Sequence, residues 1–428
     1  MKKRKKILFL PHSDGLAHIT RCLAIADLLP KSQYHMRFAV SLDKRAFVRK
    51  AGYGTYTLSP STSFDVAEEY KFTRKNEYLD LLSNYVQEDL NIIDKYKPDA
   101  VISDKRTTAC ISTRIKKVPW ITIANSIYLK EFWKGNGLDL SERKFLNQVY
   151  HFIGWVFVNF ISRQAMKVPF HKVSDQFAKA SVYAQYDADL KLVADVPEYN
   201  SLSPLPEDAY FVGPLFWQGF EKKEPAWFKK LDKKRPIIYL SLGGTIYNQE
   251  MLNSTIEAVA NTPYQLIVSL GPNFKKSKIG KLPENVWAET YLPGQKACKI
   301  SDVVVHHGGH GTVMQALKYG KPCVVIPHNY GQWYNAKRIE RLKCGINLNP
   351  LKPSFVSPNS LLKDALDVKP AEIRVAVEKV LTDVKYKRNA EKFKKTVRLY
   401  RNGHRAVDIV EHFLEMQQKS AKKSERRK

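Results

Sequence analysis

Three histidines and three glycines occupy the segment HHGGHGT at positions 306–312. The apolar run DVVV before it is typical of a buried strand, and TVMQALKYG after it has the apolar spacing of a helix. The segment is therefore predicted to be a strand-to-helix turn. Helix N-termini attract anions through free N–H groups and partial positive charge, and glycines let an anion approach the backbone. An imidazole can donate a further hydrogen bond, so the pattern predicts a diphosphate site.

Two other interpretations use the same residues. His306, His307 and His310 have the spacing H-H-x-x-H. Zinc motifs of this kind place their ligands on a helix, and the glycines disfavour a helix at this point. Asp302 is the one carboxylate nearby, so we predict no metal site. A glycine-rich turn with a purely structural role stays open.

Short strand patterns alternate with helical patterns along both halves of the chain. This alternation indicates parallel sheets wrapped by helices. It stops at a segment rich in Pro, Gly and charge, and it restarts at RPIIYLSLGG. We therefore predict an α/β protein with two doubly wound domains facing across a cleft. The predicted parts are a domain at 1–213, a linker at 214–235, a domain at 236–395, a helix at 396–416 that returns to the first domain, and a basic tail at 417–428.

Composition narrows the class of protein and its location. The chain has 428 residues, 44% of them hydrophobic, which is enough for two buried cores. Its formal net charge of +28 favours polyanions or an anionic membrane face as partners, but no nucleic-acid-binding module is recognisable, so we predict no nucleic-acid partner. Five singly spaced cysteines fit reduced thiols, and the first apolar run is too short for a signal peptide. We predict a cytoplasmic protein, with peripheral contact to the membrane as a further hypothesis.

A longer motif begins at His307. From there to Ala336 the chain reads HGGHGTVMQALKYGKPCVVIPHNYGQWYNA. This resembles, without a gap, the donor-binding signature of family 1 glycosyltransferases: H-G-G-x-G-T-x-x-E-A, then G-x-P, a Pro closing the strand, and D-Q-x-x-N-A. The resemblance implies the GT-B fold of two Rossmann-like domains, with a nucleotide-sugar donor held mainly by the C-terminal domain. It is weaker elsewhere and leaves much of 60–95 and 130–210 unsupported.

The resemblance assigns donor-binding residues by position. His307 would donate to one phosphate, and the N–H groups around Gly311 and Thr312 would bind other phosphate oxygens. Tyr291 would lie against the nucleobase of the donor, and the backbone of Leu292 would form a hydrogen bond with that nucleobase. The full implied donor-binding set is Gly244, Thr245, Tyr291, Leu292, His307, Gly309, Gly311, Thr312, Gln315 and Gln332.

Two positions depart from the family pattern. The acidic residue that holds the ribose hydroxyls is Gln315 here, and an amide bonds a diol without charge assistance. The acidic residue before Gln332 is Gly331. That carboxylate usually holds sugar hydroxyls in the family, so its loss leaves the identity of the sugar open.

The resemblance also implies a general base. His18 stands where the family has a histidine that opens the first helix, and Asp104 stands where an aspartate orients it. Such an aspartate fixes the imidazole tautomer and stabilises the imidazolium that forms. His12 is an alternative base and Asp14 an alternative carboxylate. His18 as an ordinary helix-start residue and Asp104 as a helix cap also remain open.

The predicted activity is inverting transfer of a hexosyl group from a nucleotide-diphosphate sugar to a hydroxyl by general-base catalysis, without a metal or cofactor. A UDP-sugar is the first expectation and a dTDP-sugar the second. The stretch FIGWVFVNF and the basic ends favour a lipid acceptor or a polyanionic glycopolymer. The alternatives are a catalytically silent relative that activates a partner enzyme, and a sugar-nucleotide epimerase.

Overall fold

The chain forms two compact units, Met1–Gly219 with Tyr400–Lys428, and Phe220–Leu399. The computed structural model describes residues 4–13, 15–59, 75–134, 182–202, 204–220, 225–243, 249–271, 274, 279–328, 330–349 and 368–425. The division at Gly219 falls inside the segment predicted to be a linker. Each unit is built on its own sheet.

Both sheets are parallel throughout their described pairings. The strands are β1 (Lys5–Pro11), β2 (Tyr34–Ser41), β3 (Gly54–Leu58), β4 (Ala100–Asp104), β5 (Trp120–Ala124), β6 (Leu190–Val193), β7 (Ala209–Phe211), β8 (Ile237–Ser241), β9 (Gln265–Ser269), β10 (Val286–Glu289), β11 (Val303–His306), β12 (Cys323–Val325) and β13 (Gly345–Asn347). Their orders in the two sheets are β3-β2-β1-β4-β5-β6-β7 and β10-β9-β8-β11-β12-β13.

Helices lie in the connections between most of the successive parallel strands. Within the described parts of the chain, no helix has both the length and the apolarity needed to cross a membrane. The helices are α1 (Leu16–Ala26), α2 (Arg45–Lys50), α3 (Lys75–Tyr96), α4 (Ala109–Ile115), α5 (Lys130–Lys134), α6 (Gln249–Val259), α7 (Gly294–Ile300), α8 (His310–Lys318), α9 (Tyr330–Arg341), α10 (Pro370–Thr382), α11 (Val384–Arg398) and α12 (His404–Glu425). Short 3₁₀ turns occupy Leu42–Lys44, Ser126–Tyr128, Val182–Tyr186, Ala226–Lys230 and Arg401–Gly403.

Strand β1 shows why its sequence is apolar without alternation. Ile7 and Phe9 pack into one hydrophobic cluster, while Leu8 and Leu10 pack into another. Successive side chains of a strand point to opposite faces, so both faces of this sheet are covered. A strand buried on both sides must be continuously apolar, and this constraint made the central strands recognisable in the sequence.

The C-terminal helix α12 packs on the first unit. Ala406, Val407, Val410 and Leu414 recur on one helical face and are buried in the same cluster as Ile7 of β1. The chain returns to this unit at Tyr400, and Gly213 lies directly beside that residue. The final segment therefore completes the hydrophobic core of a unit whose strands lie far earlier in the sequence.

The prediction of two doubly wound α/β domains is confirmed. Four strands, β3, β6, β7 and β13, were not predicted. Three of them are edge strands, and β7 and β13 have only three residues each, without the continuous apolar run of the equally short β12. The last helix also differs from expectation, because α11 continues to Arg398 and α12 begins at His404. Helix α12 then runs to Glu425, through most of the segment predicted to be a tail.

Replacement of Gly213 tests the docking of the C-terminal segment. Gly213 has φ +71°, and a Cβ there would lie 2.4 Å from the Cβ of Tyr400. Gly213→Ala should therefore destabilise the first unit by clearly more than about 1 kcal/mol, measured by thermal and urea unfolding. Gly52 has φ +89°, and a Cβ there would meet no atom of the described residues within 4 Å, so Gly52→Ala should cost only the conformational strain of about 1 kcal/mol. Equal losses in the two variants would contradict tight packing of Tyr400 on Gly213.

Candidate functional site

Each sheet has one place where the strand order reverses. In the first unit this is between β1 and β4, where Pro11 is paired with Asp104. In the second it is between β8 and β11, where Ser241 is paired with His306. Open parallel sheets bind ligands outside the carboxyl ends of strands at such switch points. The two segments with chemically active residue types both begin at these points.

His18 and Asp104 meet at the first of these points. Helix α1 begins at Leu16, soon after β1, so His18 lies in its first turn, while Asp104 is the last residue of β4. His18 Nδ1 lies 2.7 Å from Asp104 Oδ1. The carboxylate is fully buried, and the histidine side chain is 19% exposed. An Nδ1–H that donates to the carboxylate leaves Nε2 as the ring nitrogen able to accept a proton.

Arg21 joins the same carboxylate and was not predicted. Its Nε donates to Asp104 Oδ2 at 2.7 Å, and its Nη2 donates to Oδ1 at 2.5 Å. Its Nη1 donates to the side-chain oxygen of Asn125 at 2.5 Å. The signal was present, because His18 and Arg21 are three residues apart and therefore share one helical face. Asn125 directly follows β5, the neighbour of β4, and carried no comparable signal.

The electrostatics of this group follow from burial and from its charges. Burial lowers the pKa of His18, Asp104 partly offsets that effect, and Arg21 lowers the pKa further. For Asp104, burial alone would raise the pKa, but the charges and hydrogen bonds of Arg21 and His18 outweigh it and hold the pKa below the ordinary value. The resulting state at neutral pH is a neutral imidazole bonded to an ionised carboxylate, as a general base requires.

His12 lies close to this group without displacing His18 from it. Its ring centroid is 5.7 Å from that of His18, in an edge-on arrangement. Its backbone N–H donates to the carbonyl of Asp104 at 2.8 Å. The side-chain carboxylate of Asp104 bonds His18 and Arg21 instead. Asp14, the alternative carboxylate, lies outside the described residues.

The second switch point holds the imidazole of His307 between two glycines. A Cβ at Gly243 would lie 2.5 Å from His307 Cε1, and a Cβ at Gly309 would lie 2.5 Å from its Nε2. The glycines after β8 and β11 are therefore needed to admit the ring as well as to expose the backbone. His307 Nδ1 is buried without a hydrogen-bond partner among the described residues. Gly244 and Thr245, which we expected beside it, lie outside the described residues.

The turn into α8 is fixed from α9. Gly308 has φ +90°, and a Cβ there would lie 2.6 Å from the carbonyl oxygen of Gln332. The side chain of Asn335 donates to the carbonyl of Gly308 at 2.8 Å. The carboxamide oxygen of Gln332 accepts from the backbone N–H of His328 at 2.9 Å. The Q-x-x-N spacing of the motif thus holds the glycine turn in place.

The first turn of α8 has one further feature. The Thr312 N–H donates to the carbonyl of Gly309 at 3.0 Å, so it belongs to the helix hydrogen bonding. A Cβ built at Gly311 would meet no atom of the described chain within 4 Å. This side of the helix N-terminus therefore has room for a ligand.

The remaining predicted donor residues meet at the start of α7. Tyr291 follows β10 and is 48% exposed, whereas Leu292 is buried. A Cβ at Gly294 would lie 2.9 Å from the carboxamide oxygen of Gln315. Gln315 of α8 thus lies against the segment that includes Tyr291 and Leu292. The second unit therefore brings the side chain of Gln315 to Gly294, three residues after Tyr291.

The histidines around the glycine turn are neutral at physiological pH. Burial lowers the pKa of His306 to about 3 and that of His307 to about 4. Burial, with a contribution from His307, lowers the pKa of His328 to about 4. His306 Nδ1 accepts from the Gly308 N–H at 2.9 Å. Across the ranges that the structure describes, no three His, Cys, Asp or Glu side chains form a group that could hold a metal ion.

Comparisons with known proteins agree with this architecture. A family model described as the erythromycin biosynthesis protein CIII-like C-terminal domain matches residues 253–398. The PGL/p-HBAD biosynthesis rhamnosyltransferase of Mycobacterium bovis (strain BCG / Pasteur 1173P2) is 28% identical over 364 residues, covering 81% of this chain and 77% of the relative.

Two solved structures show the same fold. The glycotransferase of kitacinnamycin aligns over 96% of this chain and 100% of its own, with a TM-score of 0.74 at 16% identity. The glycosyltransferase VinC, solved in complex with dTDP, aligns over 96% and 100%, with a TM-score of 0.69 at 15% identity. Two parallel-sheet units with these neighbours constitute the GT-B fold. The chain is thus similar to glycosyltransferases both in sequence and in fold.

Proposed function

We propose that this glycosyltransferase moves a hexosyl group from a nucleotide-diphosphate sugar to an acceptor hydroxyl with inversion, and that His18 is the general base. The observation that carries the proposal is the 2.7 Å contact between His18 Nδ1 and a fully buried Asp104 at the switch point of the first sheet. This contact orients the ring and keeps Nε2 free to take the proton of the acceptor hydroxyl. The carboxylate then stabilises the imidazolium that forms.

The donor diphosphate is assigned to the glycine turn of the second unit. His307 supplies a neutral imidazole with a buried ring nitrogen that lacks a partner in the described chain. The N–H of Gly311, the hydroxyl of Thr312 and the N-terminal dipole of α8 supply further positive potential. Charge that builds on the leaving diphosphate is stabilised by these groups, so the proposed mechanism uses no metal.

The nucleotide and sugar have two candidates. A UDP-hexose is the expectation from the sequence, while the dTDP complex of VinC and the rhamnosyltransferase relative favour a dTDP-linked sugar. Gly331 also supports the second candidate, because it offers no side-chain acceptor for a sugar hydroxyl, and a deoxysugar has fewer hydroxyls to hold. Tyr291 and Leu292 are the residues proposed to bind the nucleobase of the donor. Gln315 is proposed to bond the ribose through its amide.

A panel of nucleotides distinguishes the candidates. UDP, dTDP, GDP and ADP, each tested alone and as its glucose conjugate, should give one nucleotide with the largest rise in Tm. A ligand at a hundred times its Kd stabilises by about 2.7 kcal/mol, which is readily measured. We expect a pyrimidine nucleotide to be selected. Stabilisation by no nucleotide of the panel would contradict the proposed donor class.

Replacement of His18 and replacement of His307 should have different effects on nucleotide affinity and turnover. His18→Ala removes proton abstraction and leaves the donor site intact, so nucleotide affinity should hold while turnover falls by roughly two to four orders of magnitude. His307→Ala should weaken nucleotide binding by about 1.5–3 kcal/mol and slow the chemical step as well. Asp104→Asn should resemble His18→Ala. Calorimetry of nucleotide binding, together with single-turnover hydrolysis of the selected nucleotide sugar, measures both effects.

A control variant on the same helix separates these effects from damage to α1. Thr20 bonds the Ala17 carbonyl through its hydroxyl, and Thr20→Ala should keep both affinity and turnover near those of the parent protein. Loss of nucleotide binding in His18→Ala would show that His18 is wrongly assigned as the general base. Unchanged nucleotide binding in His307→Ala would show that His307 is wrongly assigned as the residue that binds the diphosphate.

The acceptor is proposed to be a lipid or a polyanionic glycopolymer, with peripheral binding of the protein to anionic membranes. The proposal rests on Lys2, Lys3 and Arg4 and on the basic residues after Met416. Of the expected group Lys2 to Lys6, Lys5 and Lys6 begin β1 and donate to the carbonyls of Leu414 and Tyr96. Trp155 and its apolar neighbours lie outside the described residues. Each basic residue near an anionic surface contributes about 1 kcal/mol, screened by salt. The protein should float with phosphatidylglycerol vesicles at low salt and be released at high salt, while phosphatidylcholine vesicles serve as the control. Absence of binding to the anionic vesicles at low salt would refute membrane association.

A further inference from the structure

Arg21 makes more hydrogen bonds beside His18 than are needed to neutralise the charge of Asp104. Its guanidinium donates to both oxygens of Asp104 and, from its remaining nitrogen, to the side chain of Asn125. The arginine side chain is 13% exposed, and the carboxylate is fully buried. Three elements, α1, the end of β4 and the residue after β5, are thereby joined at one point.

The paired hydrogen bonds from the Arg21 guanidinium restrict the rotation of the Asp104 carboxylate. A carboxylate that accepts from His18 alone could rotate about its Cβ–Cγ bond and carry the imidazole with it. A planar guanidinium that bonds both oxygens prevents that rotation, and a lysine ammonium lacks the paired donors to do so. The Asn125 contact in turn holds the far side of the guanidinium.

We propose that Arg21 is a positioning residue for the transfer reaction: by holding both oxygens of Asp104 in one plane, it fixes the hydrogen bond that orients the His18 ring. The proposal rests on the function proposed above for His18. Arg21 itself touches neither the acceptor nor the donor in this assignment, and it acts through the carboxylate.

Arg21 also affects the proton equilibrium of the ring. Its Nη2 lies 3.3 Å from His18 Nδ1, so its positive charge opposes a second positive charge on the imidazole. Lys105, which follows β4, acts in the same direction, while Asp104 raises the pKa of His18. Removal of Arg21 leaves the carboxylate charge unopposed and should raise the pKa of His18. The other titratable groups that face these side chains are His12, Cys22, Tyr128 and Tyr186.

Two variants separate the positive charge of Arg21 from the paired N–H donors of its guanidinium, and a third variant is the control. Arg21→Gln removes both the charge and the paired donors, and Arg21→Lys keeps only the charge. Arg45→Gln is the control. Arg45 is a partly buried arginine of the same unit whose Nε approaches the Thr55 hydroxyl, remote from Asp104 in the sheet. Circular dichroism melts establish that each variant is folded.

The first readout is the titration of His18 in protein without substrate. Proton–carbon NMR of protein labelled at histidine Cε1 gives the ring pKa, with His18→Ala to assign the signal. The wild-type pKa should lie below the ordinary value of 6.5. Arg21→Gln should raise it, whereas Arg21→Lys and Arg45→Gln should leave it near the wild-type value.

The second readout is the pH dependence of hydrolysis of UDP-glucose, or of dTDP-glucose if the panel selects dTDP. The base acts when neutral, so activity should fall as pH drops through the pKa of His18. In Arg21→Gln, the pH at which activity falls on the acid side should rise together with the pKa of the His18 ring. Above that pH, Arg21→Gln and Arg21→Lys should both lose about tenfold or more in kcat, because the carboxylate is no longer held. Nucleotide affinity should stay unchanged in both.

The possible failures are distinct. An unshifted His18 titration in folded Arg21→Gln, or full kcat in Arg21→Lys, would overturn the assignment of Arg21. If Arg21→Gln does not fold, the lysine variant alone decides, because it retains the charge that a buried carboxylate needs. Full turnover in His18→Ala would instead overturn the proposed base, a result that involves no change at Arg21.

Discussion

Asp104 is a fully buried carboxylate at the end of a strand that has neighbours on both sides. A charge in that position is strongly unfavourable unless it is paired and its hydrogen bonds are satisfied. The first turns of α1 supply both partners, because His18 and Arg21 lie on one helical face. The short connection from β1 to α1 is therefore constrained by the carboxylate of β4. The ionised aspartate then sets the tautomer and the proton affinity of the ring.

The second unit uses the same topological position with different chemistry. Its switch point presents neutral imidazoles, glycines and a helix N-terminus where the first unit has an ion pair. The difference follows from the proposed ligands. A diphosphate carries its own charge and needs donors that approach closely, whereas a neutral hydroxyl needs a base whose charge balance is already arranged. One sheet topology thus serves both tasks, because parallel strands end in adjacent, loop-forming positions.

Most of the fold could be predicted, because strands buried on both faces must be continuously apolar and the central strands are of this kind. Edge strands such as β7 and β13 could not, since their three residues lack the continuous apolar run that made the equally short interior strand β12 recognisable. The contact between His18 and Asp104 was expected from the family resemblance. The roles of Arg21 and Gly243 depend on which strands are neighbours. The sequence showed Arg21 on the helical face of His18, but only the pairing of β1 with β4 brings Asp104 to its guanidinium.

The two departures from the family pattern act on the same electrostatic balance. Gln315 lies within α8 and Gly331 in the first turn of α9, and both stand where the family pattern has acidic residues. Hydrogen bonds to a charged group are about twice as strong as neutral ones, so in the proposed donor site these positions would bind ribose and sugar hydroxyls more weakly than carboxylates would. They also remove negative charge near the diphosphate, which leaves the dipole of α8 less opposed. Under the proposed function, binding of the donor would rest more on its phosphates than on its sugar, and discrimination among sugars would come from residues other than these two.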